Sequence, residues 1–439
     1  MTQRLRPVPS QRSSYDDYPT GSAYGPVFWS AYVANALLMI ALALLVRYAD
    51  FVNFVGGAEG QLGLIVGVGM VGSLAMRLGQ GLGIDRYGPR LIWLASLLVF
   101  VVSALGHLWV ESVTAPAIFI LRILMQTSVA GVFGASITYI SRRVPPARMA
   151  EIIGTLGSSG FIGILLGPLL GDWIFSDGTV LRPQLDRMFL FAAGLGSLSF
   201  VAAWAATRGQ LRPVIRRQPS FFGLMRRYHP GVVLLVAVAV GVGTSVPFTF
   251  LRTYANELEL SNIGLFFATY AITAFAVRMA TRRLFYRFGN RPWVLFGLGS
   301  MAVSMLLYMM VRNTIQLMIP GAAAGIAHAL LFPAVVASGS TSFPTRYRGL
   351  GTTLMLAMFD VGGLVGAPMI GGILHFTRQT GLPTYPTMFT CVATGLVFVA
   401  IVFAARTRVR IKPEPLAAHD GISPDPASTA AESSPCVAS

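Results

Sequence analysis

This chain has few charged residues. Asp, Glu, Lys and Arg make up 11% of its 439 residues, whereas hydrophobic residues make up 54%. Soluble domains carry about 25% charged residues and use them to cover their surface. A water-soluble fold is therefore excluded, and the sequence predicts a protein whose surface faces lipid.

Lysine and cysteine are also scarce. Lys412 is the one lysine and has no Gly-rich loop around it, so a Walker A phosphate site is excluded. Cys391 lies in an apolar stretch and Cys436 in the C-terminal tail, a pattern that predicts neither a disulfide nor a metal site. The H-E-x-x-H and G-x-S-x-G motifs are absent. We therefore expect no enzyme activity, no cofactor and no bound metal.

Twelve apolar stretches are long enough to cross a bilayer, whose core of about 30 Å requires roughly 20 apolar residues per helix. The sequence therefore predicts an all-α integral membrane protein. Its spans, numbered 1 to 12, are residues 27–48, 61–82, 91–110, 116–140, 151–174, 188–206, 231–251, 262–281, 293–311, 315–340, 350–373 and 387–405.

Basic residues are distributed unequally between the two sides of the predicted membrane. With both termini in the cytoplasm, that side carries 24 Arg and Lys residues, the other side six and the spans three. Basic residues favour cytoplasmic loops. The net charge of +16 is thus a topology signal rather than a nucleic-acid site. We predict cytoplasmic tails at 1–26 and 406–439, the latter disordered, a basic cytoplasmic linker at 207–230, and a plasma (inner) membrane location.

A 14-residue segment occurs twice. Residues 77–90 (RLGQGLGIDRYGPR) recur in divergent form 201 positions later as residues 278–291 (RMATRRLFYRFGNR). The coinciding pairs are Arg77 and Arg278, Arg86 and Arg287, Gly88 and Gly289, and Arg90 and Arg291. This repeat predicts two pseudo-symmetric six-helix bundles, 27–206 and 231–405, with the working site between them near the bilayer midplane.

The first copy resembles the loop signature of the major facilitator superfamily, G-x-x-x-D-R-x-G-R-R. The matching residues are Gly81, Asp85, Arg86, Gly88 and Arg90, and Pro89 departs from one basic position. A tight reversal between two helices requires a residue that tolerates positive φ, which Gly88 supplies. A turn flanked by topology-determining arginines is the alternative, but it explains neither Asp85 nor the repeat.

Span 5 carries small residues on one helix face. Its glycines follow one another at steps of three, four and four, which lets another backbone approach closely. The span resembles the superfamily's antiporter signature, G-x8-G-x3-G-P-x2-G-G, except that Asp172 replaces the last glycine. The resemblance implies proton-coupled export, and a packing face with no bearing on direction is the alternative. The residues that match the signature are Gly154, Gly163, Gly167, Pro168 and Gly171, and the glycine face consists of Gly160, Gly163, Gly167 and Gly171.

The superfamily resemblance covers about residues 27–405 and implies a transporter of small solutes that works by alternating access. It gives gating or conformational roles to the two loop copies and to the span 5 face. These residues are Arg77, Gly81, Asp85, Arg86, Gly88, Arg90, Gly163, Gly167, Pro168, Gly171, Arg278, Arg287 and Gly289.

Span 11 repeats span 5 at an offset of 200, and Asp360 stands where span 5 has Gly160. Asp360 shares a helix face with Gly363 and Gly371 and lies about 15 Å deep, where an ionised carboxylate is costly. In the superfamily fold, span 11 packs beside span 2, which contains Arg77. Two hypotheses remain open: Asp360 carries the coupled proton, or it forms a structural ion pair with Arg77.

Two further polar residues lie within spans. Arg122 in span 4, followed by Gln126, loosely resembles the superfamily's R-x-x-Q-G motif. Such an arginine binds a substrate anion or tunes a proton site, or else only packs and extends toward the outer face. His328 in span 10 either takes part in proton coupling or forms an interhelical hydrogen bond. The proton-coupling candidates are therefore Asp360, His328 and Arg122.

The first helices of each three-span repeat line the cavity in this family, which implies a set of substrate-cavity candidates. These are Tyr32, Asn35, Arg122, Gln126, Thr244, Phe248, Thr249, Tyr270 and His328. Predicted span 1 contains no Asp or Glu, which argues against cationic drugs as substrates. The favoured hypothesis is a monomeric, proton-coupled exporter of a small organic solute. An uptake permease for sugars or organic anions and a non-transporting sensor or scaffold are the alternatives.

Overall fold

The computed structural model describes residues 24–144, 148–176, 180–208, 225–260, 262–281, 284, 288–344 and 347–407, without the side chains of residues 80–82, 85 and 150. Most of both predicted tails, residues 209–224 of the linker, and the gating candidate Arg287 lie outside the described residues.

The described chain consists of twelve long helices and contains no strand, which confirms the predicted all-α class. They are α1 (Pro26–Leu44, continued by the 3₁₀ turn Leu45–Arg47 and the helix Tyr48–Phe54), α2 (Glu59–Tyr87), α3 (Pro89–Gly106), α4 (Pro116–Ser141), α5 (Met149–Ile174), α6 (Arg182–Ala206), α7 (Val233–Ser245, continued by the π-helical turn Val246–Phe250 and the helix Leu251–Glu257), α8 (Gly264–Thr281), α9 (Arg291–Tyr308), α10 (Met318–Thr341), α11 (Arg348–Thr380) and α12 (Thr384–Arg406).

Eleven of these helices are long and apolar enough to cross a membrane. The twelfth, α9, has 18 residues and begins with Arg291 and Pro292, and these two residues lower its mean hydropathy. It lies in the same place in its half as α3, so the order of long helices matches the predicted order of spans.

Several helices extend beyond their predicted ends. α1 continues to Phe54 instead of residue 48, α2 to Tyr87 instead of 82, and α11 to Thr380 instead of 373. Each added segment contains at least one charged residue, and hydropathy excluded the segments for that reason. The helix α1 therefore contains an acidic residue, Asp50, in its last turns, whereas the predicted span 1 contained none.

The connection between α2 and α3 is a single-residue turn rather than a loop. Asp85 and Arg86 belong to the last turn of α2, and Pro89 is the first residue of α3. Gly88 between them has φ +83°, and its repeat partner Gly289 has φ +68°. The predicted positive φ is confirmed at Gly88, and Gly289 shares it, whereas the placement of Asp85 in a loop was wrong.

The same helix pairings occur in both halves of the chain. In the N-terminal half α1 packs against α5 and α6, and α4 packs against α2 and α3. In the C-terminal half α7 packs against α11 and α12, and α10 packs against α8 and α9. Between the halves, α2 packs against α11 and α5 packs against α8. The structure thus consists of two pseudo-symmetric six-helix bundles that meet along two equivalent helix pairs.

We call the end of the bundle that contains Pro26 and Arg406 the proximal end. The connections α1–α2, α3–α4, α5–α6, α7–α8, α9–α10 and α11–α12 lie at the opposite end, which we call the distal end. Both interfaces between the halves run along the direction from one end to the other.

Glycines bring helices into close contact within and between the halves. A Cβ atom added at Gly163 on α5 would lie 2.5 Å from the carbonyl carbon of Met39 on α1. A Cβ atom added at Gly63 on α2 would overlap the carbonyl oxygen of Ala367 on α11. The predicted glycine face of α5 therefore packs against α1, and the matching face of α11 packs against α2.

Candidate functional site

Asp360 lies at the interface between α2 and α11. Its Oδ2 atom is 2.6 Å from the Ser73 hydroxyl, which donates a hydrogen bond, and 2.5 Å from Nε of Arg77. The Arg77 and Asp360 side chains are 15% and 14% exposed. The structure thus brings together the two residues that the ion-pair hypothesis requires. Because both are partly exposed, water and hence protons can reach the pair.

The equivalent interface between α5 and α8 contains no such ion pair. Arg278 on α8 is the repeat partner of Arg77, and its guanidinium carbon lies 5.6 Å from the ring centroid of Phe161 on α5. Within the described chain, Arg278 has no carboxylate within 4 Å. The two pseudo-symmetric interfaces therefore differ in charge.

Aromatic side chains surround His328 beside this interface. Its ring centroid is 6.0 Å from that of Phe161, 5.7 Å from that of Tyr270 and 5.7 Å from that of Phe332, and it is stacked on Phe332. Tyr270 is 2% exposed, and its hydroxyl makes no hydrogen bond to any described residue. Phe248 contacts Tyr270 with ring centroids 5.9 Å apart. Three cavity candidates from the sequence are thus brought together here.

Arg122 is buried inside the N-terminal half. It is 9% exposed, and its guanidinium carbon lies 4.5 Å from the ring centroid of Tyr48 on α1. Its nearest polar contact is Sδ of Met125 at 3.8 Å. Gln126 donates a hydrogen bond to Sδ of Met70 at 3.3 Å, and Met70 also packs at Gly363 on α11. The structure places Arg122 and Gln126 between α1, α2 and α4.

Other cavity candidates form hydrogen bonds within their own half. The Tyr32 hydroxyl is 3.1 Å from Oγ of Ser158, and Asn35 donates from Nδ2 to Oγ of Ser136 at 3.3 Å. Thr244 donates to a backbone carbonyl of its own helix, and Thr249 is buried in the π-helical turn of α7. No described contact joins Tyr32 or Asn35 to the group around His328, and their cavity role stays a prediction.

A buried ionic network at the distal end was missed by the sequence analysis. Asp50 on α1 accepts hydrogen bonds from Nε of Arg252 on α7, at 2.9 Å to each carboxylate oxygen, and from Arg47 at 3.1 Å. Arg47 is fully buried and Asp50 is 2% exposed. One carboxylate thus joins an arginine from each half.

Asp172 extends this network from α5 to α8. Its Oδ1 atom accepts a hydrogen bond from Arg47 at 2.7 Å, and its Oδ2 atom accepts one from the backbone N–H of Gly264 at 2.6 Å. Gly264 is the first residue of α8, so the carboxylate stabilises the N-terminus of that helix. The residue that departs from the antiporter signature therefore joins the two halves.

A second, more exposed distal cluster lies where α2, α7 and α11 meet. Arg378 donates to Glu59 at 2.6 Å and to Glu257 at 2.9 Å, and its side chain is 47% exposed. Arg47, Arg252 and Arg378 were counted only as basic residues of the outer side. In the sequence, the replacement of the last signature glycine by Asp172 was the sign that this position is unusual. That replacement alone could not identify the partner of Asp172 on α8.

In the part of the chain that the structure describes, no three His, Cys, Asp or Glu side chains lie close enough together to hold a metal ion.

The comparison with protein families decides the assignment. A model described as Major Facilitator Superfamily matches residues 25–285 and 233–431. This chain belongs to the major facilitator superfamily. With eleven helices that can cross a membrane, it is a multi-pass membrane transporter of that superfamily rather than an enzyme.

Its relatives include proteins named for drug resistance. Multidrug resistance protein MdtG of Citrobacter koseri is 24% identical over 351 residues, which are 76% of this chain and 81% of that protein. MdtG of a Rahnella species is 26% identical over 306 residues, 65% of this chain and 70% of that protein. Multidrug resistance protein 1 of Bacillus subtilis is 34% identical over 139 residues, 31% of this chain and 34% of that protein. The last match thus spans about a third of the relative.

Solved superfamily structures share the fold at low sequence identity. The nucleoside transporter NupG aligns with a TM-score of 0.71 at 13% identity, covering 88% of this chain and 100% of that one. A D-xylose-proton symporter aligns with a TM-score of 0.68 at 16% identity, covering 85% of this chain and 97% of that one. These structures support the fold alone.

The superfamily loop signature lies at the proximal end of the bundle. Arg86 is exposed and lies over the ring of Tyr87, 5.2 Å from its centroid. Arg291, the repeat partner of Arg90, donates to the carbonyl of Ala404 on α12 at 3.2 Å. The structure describes the backbone but not the side chains of Gly81 and Asp85, so their gating role stays a prediction.

Proposed function

We propose that this chain exports a small organic solute in exchange for protons, by alternating access, from a plasma (inner) membrane. The observation that carries the proposal is the Arg77–Asp360 contact, because it places a partly exposed carboxylate on the surface along which the two halves must separate. The antiporter-like span 5 and the drug-resistance names of the relatives support export.

The polar contacts between the halves support a distally closed state. In the described chain they begin at Arg77 and Asp360 and continue through Asp50, Asp172 and Glu59 to the distal end. A state open at the distal end requires these contacts to break. We propose that the two states alternate in this way, with the proximal end facing the cytoplasm.

Transport by the purified protein tests the proposed function. We expect proteoliposomes with an imposed pH gradient to move at least one solute from a panel of cationic, neutral and anionic aromatic compounds against its gradient. Collapse of the pH gradient with a protonophore should abolish this movement, and protein-free liposomes are the control. Solute movement that ignores the pH gradient would contradict proton coupling, and no movement of any solute would favour a sensor or scaffold.

Both chain termini are expected in the cytoplasm, because 24 of the 33 basic residues lie on the side that contains them. In a background lacking Cys391 and Cys436, cysteines at Ser10 and Ser428 should label with an impermeant maleimide in inverted vesicles but not in intact cells. Ser112→Cys in the exposed distal α3–α4 connection is the matched control and should show the opposite pattern. Labelling of either terminus in intact cells would refute this topology.

A further inference from the structure

The two equivalent interfaces between the halves differ by one missing carboxylate. In the α2–α11 interface, Arg77 is paired with Asp360. The α5–α8 interface has the equivalent arginine, Arg278, but the residue that faces it from α5 is Phe161, next to Gly160, which the sequence repeat aligns with Asp360. Arg278 therefore contacts the ring of the neighbouring Phe161 and has no ion-pair or hydrogen-bond partner among the described residues. Of these two equivalent arginines, one has a carboxylate partner among the described residues and the other has none.

An unbalanced arginine within a membrane span needs a reason, because an unpaired charge at the centre of a membrane helix costs about 2.5 to 3.5 kcal/mol on insertion scales. Arg278 is half-buried and lies within the span Gly264–Thr281. The Phe161 ring that it contacts lies next to His328, and His328 in turn contacts Tyr270, whose unbonded hydroxyl can donate a hydrogen bond. These features together fit an anionic group attached to an aromatic ring.

A cationic substrate finds no free carboxylate among the described side chains of the twelve helices. Every carboxylate described within the twelve helices has an arginine within 4 Å, namely Asp50, Glu59, Glu151, Asp172, Asp186, Glu257 and Asp360. Two arginines of the spans, Arg122 and Arg278, have no carboxylate partner among the described residues. The charge of the described interior therefore favours an anion over a cation.

We propose that the substrate is an aromatic organic anion and that Arg278 binds its acidic group, with the rings of Phe161 and His328 contacting its aromatic part. This inference rests on the proposed transport function, since it names the class of solute for the same interface. Arg122 lies apart from this group, between α1, α2 and α4, and is not assigned to the site.

The sharpest test restores the missing carboxylate. Phe161 is the α5 residue that faces Arg278, whose guanidinium carbon lies 5.6 Å from its ring centroid. Phe161→Asp should therefore place a carboxylate against Arg278, as Asp360 does against Arg77. Phe161→Asn has the size of the aspartate without the charge and is the matched control, and Arg278→Gln removes the cation itself.

Binding is measured on purified protein in phosphatidylcholine nanodiscs at neutral pH with three isosteric probes: 1-naphthoate, 1-naphthylmethanol and 1-naphthylmethylammonium. We expect the wild-type protein to prefer 1-naphthoate. Phe161→Asp should bind it about tenfold or more weakly than Phe161→Asn does, and Arg278→Gln about tenfold or more weakly than the wild type, which corresponds to the loss of one charge-assisted hydrogen bond, about 1.5 to 3 kcal/mol. Phe161→Asn removes only the ring contact and should still prefer the anion.

Three results would overturn the inference: no preference of the wild type for the anion, unchanged 1-naphthoate binding in Arg278→Gln, or equal 1-naphthoate binding in Phe161→Asp and Phe161→Asn. Thermal unfolding of each variant shows whether it is folded, and Arg278→Gln provides the same test should Phe161→Asp fail to fold. No proton gradient is used, so failed proton-driven transport would contradict the proposed function alone. Proton-driven transport of the cationic probe, without anion binding, would contradict this inference alone.

Discussion

Asp360→Asn is expected to abolish the coupling of transport to the pH gradient while leaving the protein folded and able to bind solute. Asparagine keeps the size of the side chain and its hydrogen bond with Ser73, but it neither carries a proton nor attracts Arg77. Protonation of Asp360 would remove the same attraction reversibly. The variant therefore mimics the protonated carrier permanently, and the pH gradient no longer changes the interface.

Stability and coupling separate the two hypotheses for Asp360. A fully buried ion pair loses about 3 to 5 kcal/mol when one partner is removed. Because Arg77 and Asp360 are partly exposed, we expect a smaller loss here, and Arg77→Gln in the same chain should recover part of it. Recovery of both stability and transport in the double variant would support the structural pair. Stable single variants without coupling would support the proton carrier.

The measurement is proton-driven transport in proteoliposomes, together with thermal unfolding of the single and double variants. Asp186→Asn is the matched control, because it makes the same substitution in an ion pair confined to α6, where Arg182 and Asp186 are four residues apart. It should leave transport unchanged. Normal coupling in Asp360→Asn would eliminate both hypotheses.

Local patterns in the sequence predicted much of the fold. Hydropathy identified the twelve helices, because an apolar segment that crosses lipid must satisfy its backbone hydrogen bonds internally and therefore forms a helix. Positive φ at Gly88 follows from a one-residue reversal between helices. The face of α11 that includes Asp360 was also predictable, because its small residues repeat those of α5 and allow close contact with α2. In each case the deciding property lies within one helix or one turn.

The distal network could not be predicted in the same way. Asp50 and Arg252 are 202 residues apart and meet only because α1 and α7 end at the same level on opposite sides of the interface. A hydropathy scan ends span 1 before Asp50 because a charge lowers the mean, although the arginines around it make burial possible. The sequence repeat aligns Gly160 with Asp360, so the lack of a carboxylate on α5 that could pair with Arg278 was predictable from the sequence. The aromatic side chains around Arg278 were not.

Asp50→Asn is expected to open the distal end of the transporter. The carboxylate lies between Arg47 and Arg252, whose side chains are 0% and 7% exposed, so its loss leaves two buried guanidinium groups without their shared counter-ion. Removing one partner from such a site costs about 3 to 5 kcal/mol. A bias of 1 to 3 kcal/mol already shifts a two-state equilibrium five- to 150-fold. The variant should therefore populate the distally open state.

Spin labels at Ser112 in the N-terminal half and Leu382 in the C-terminal half report this opening, since both residues are exposed at the distal end. We expect a longer distance between the labels in Asp50→Asn than in the wild type. Asp172→Asn should produce a smaller shift, because an amide oxygen can still accept from Gly264 while the attraction of Arg47 is weakened. Asp186→Asn, which breaks an ion pair within one helix, should produce none. Equal distances in Asp50→Asn and Asp186→Asn would show that the buried network stabilises the fold without holding the distal end closed.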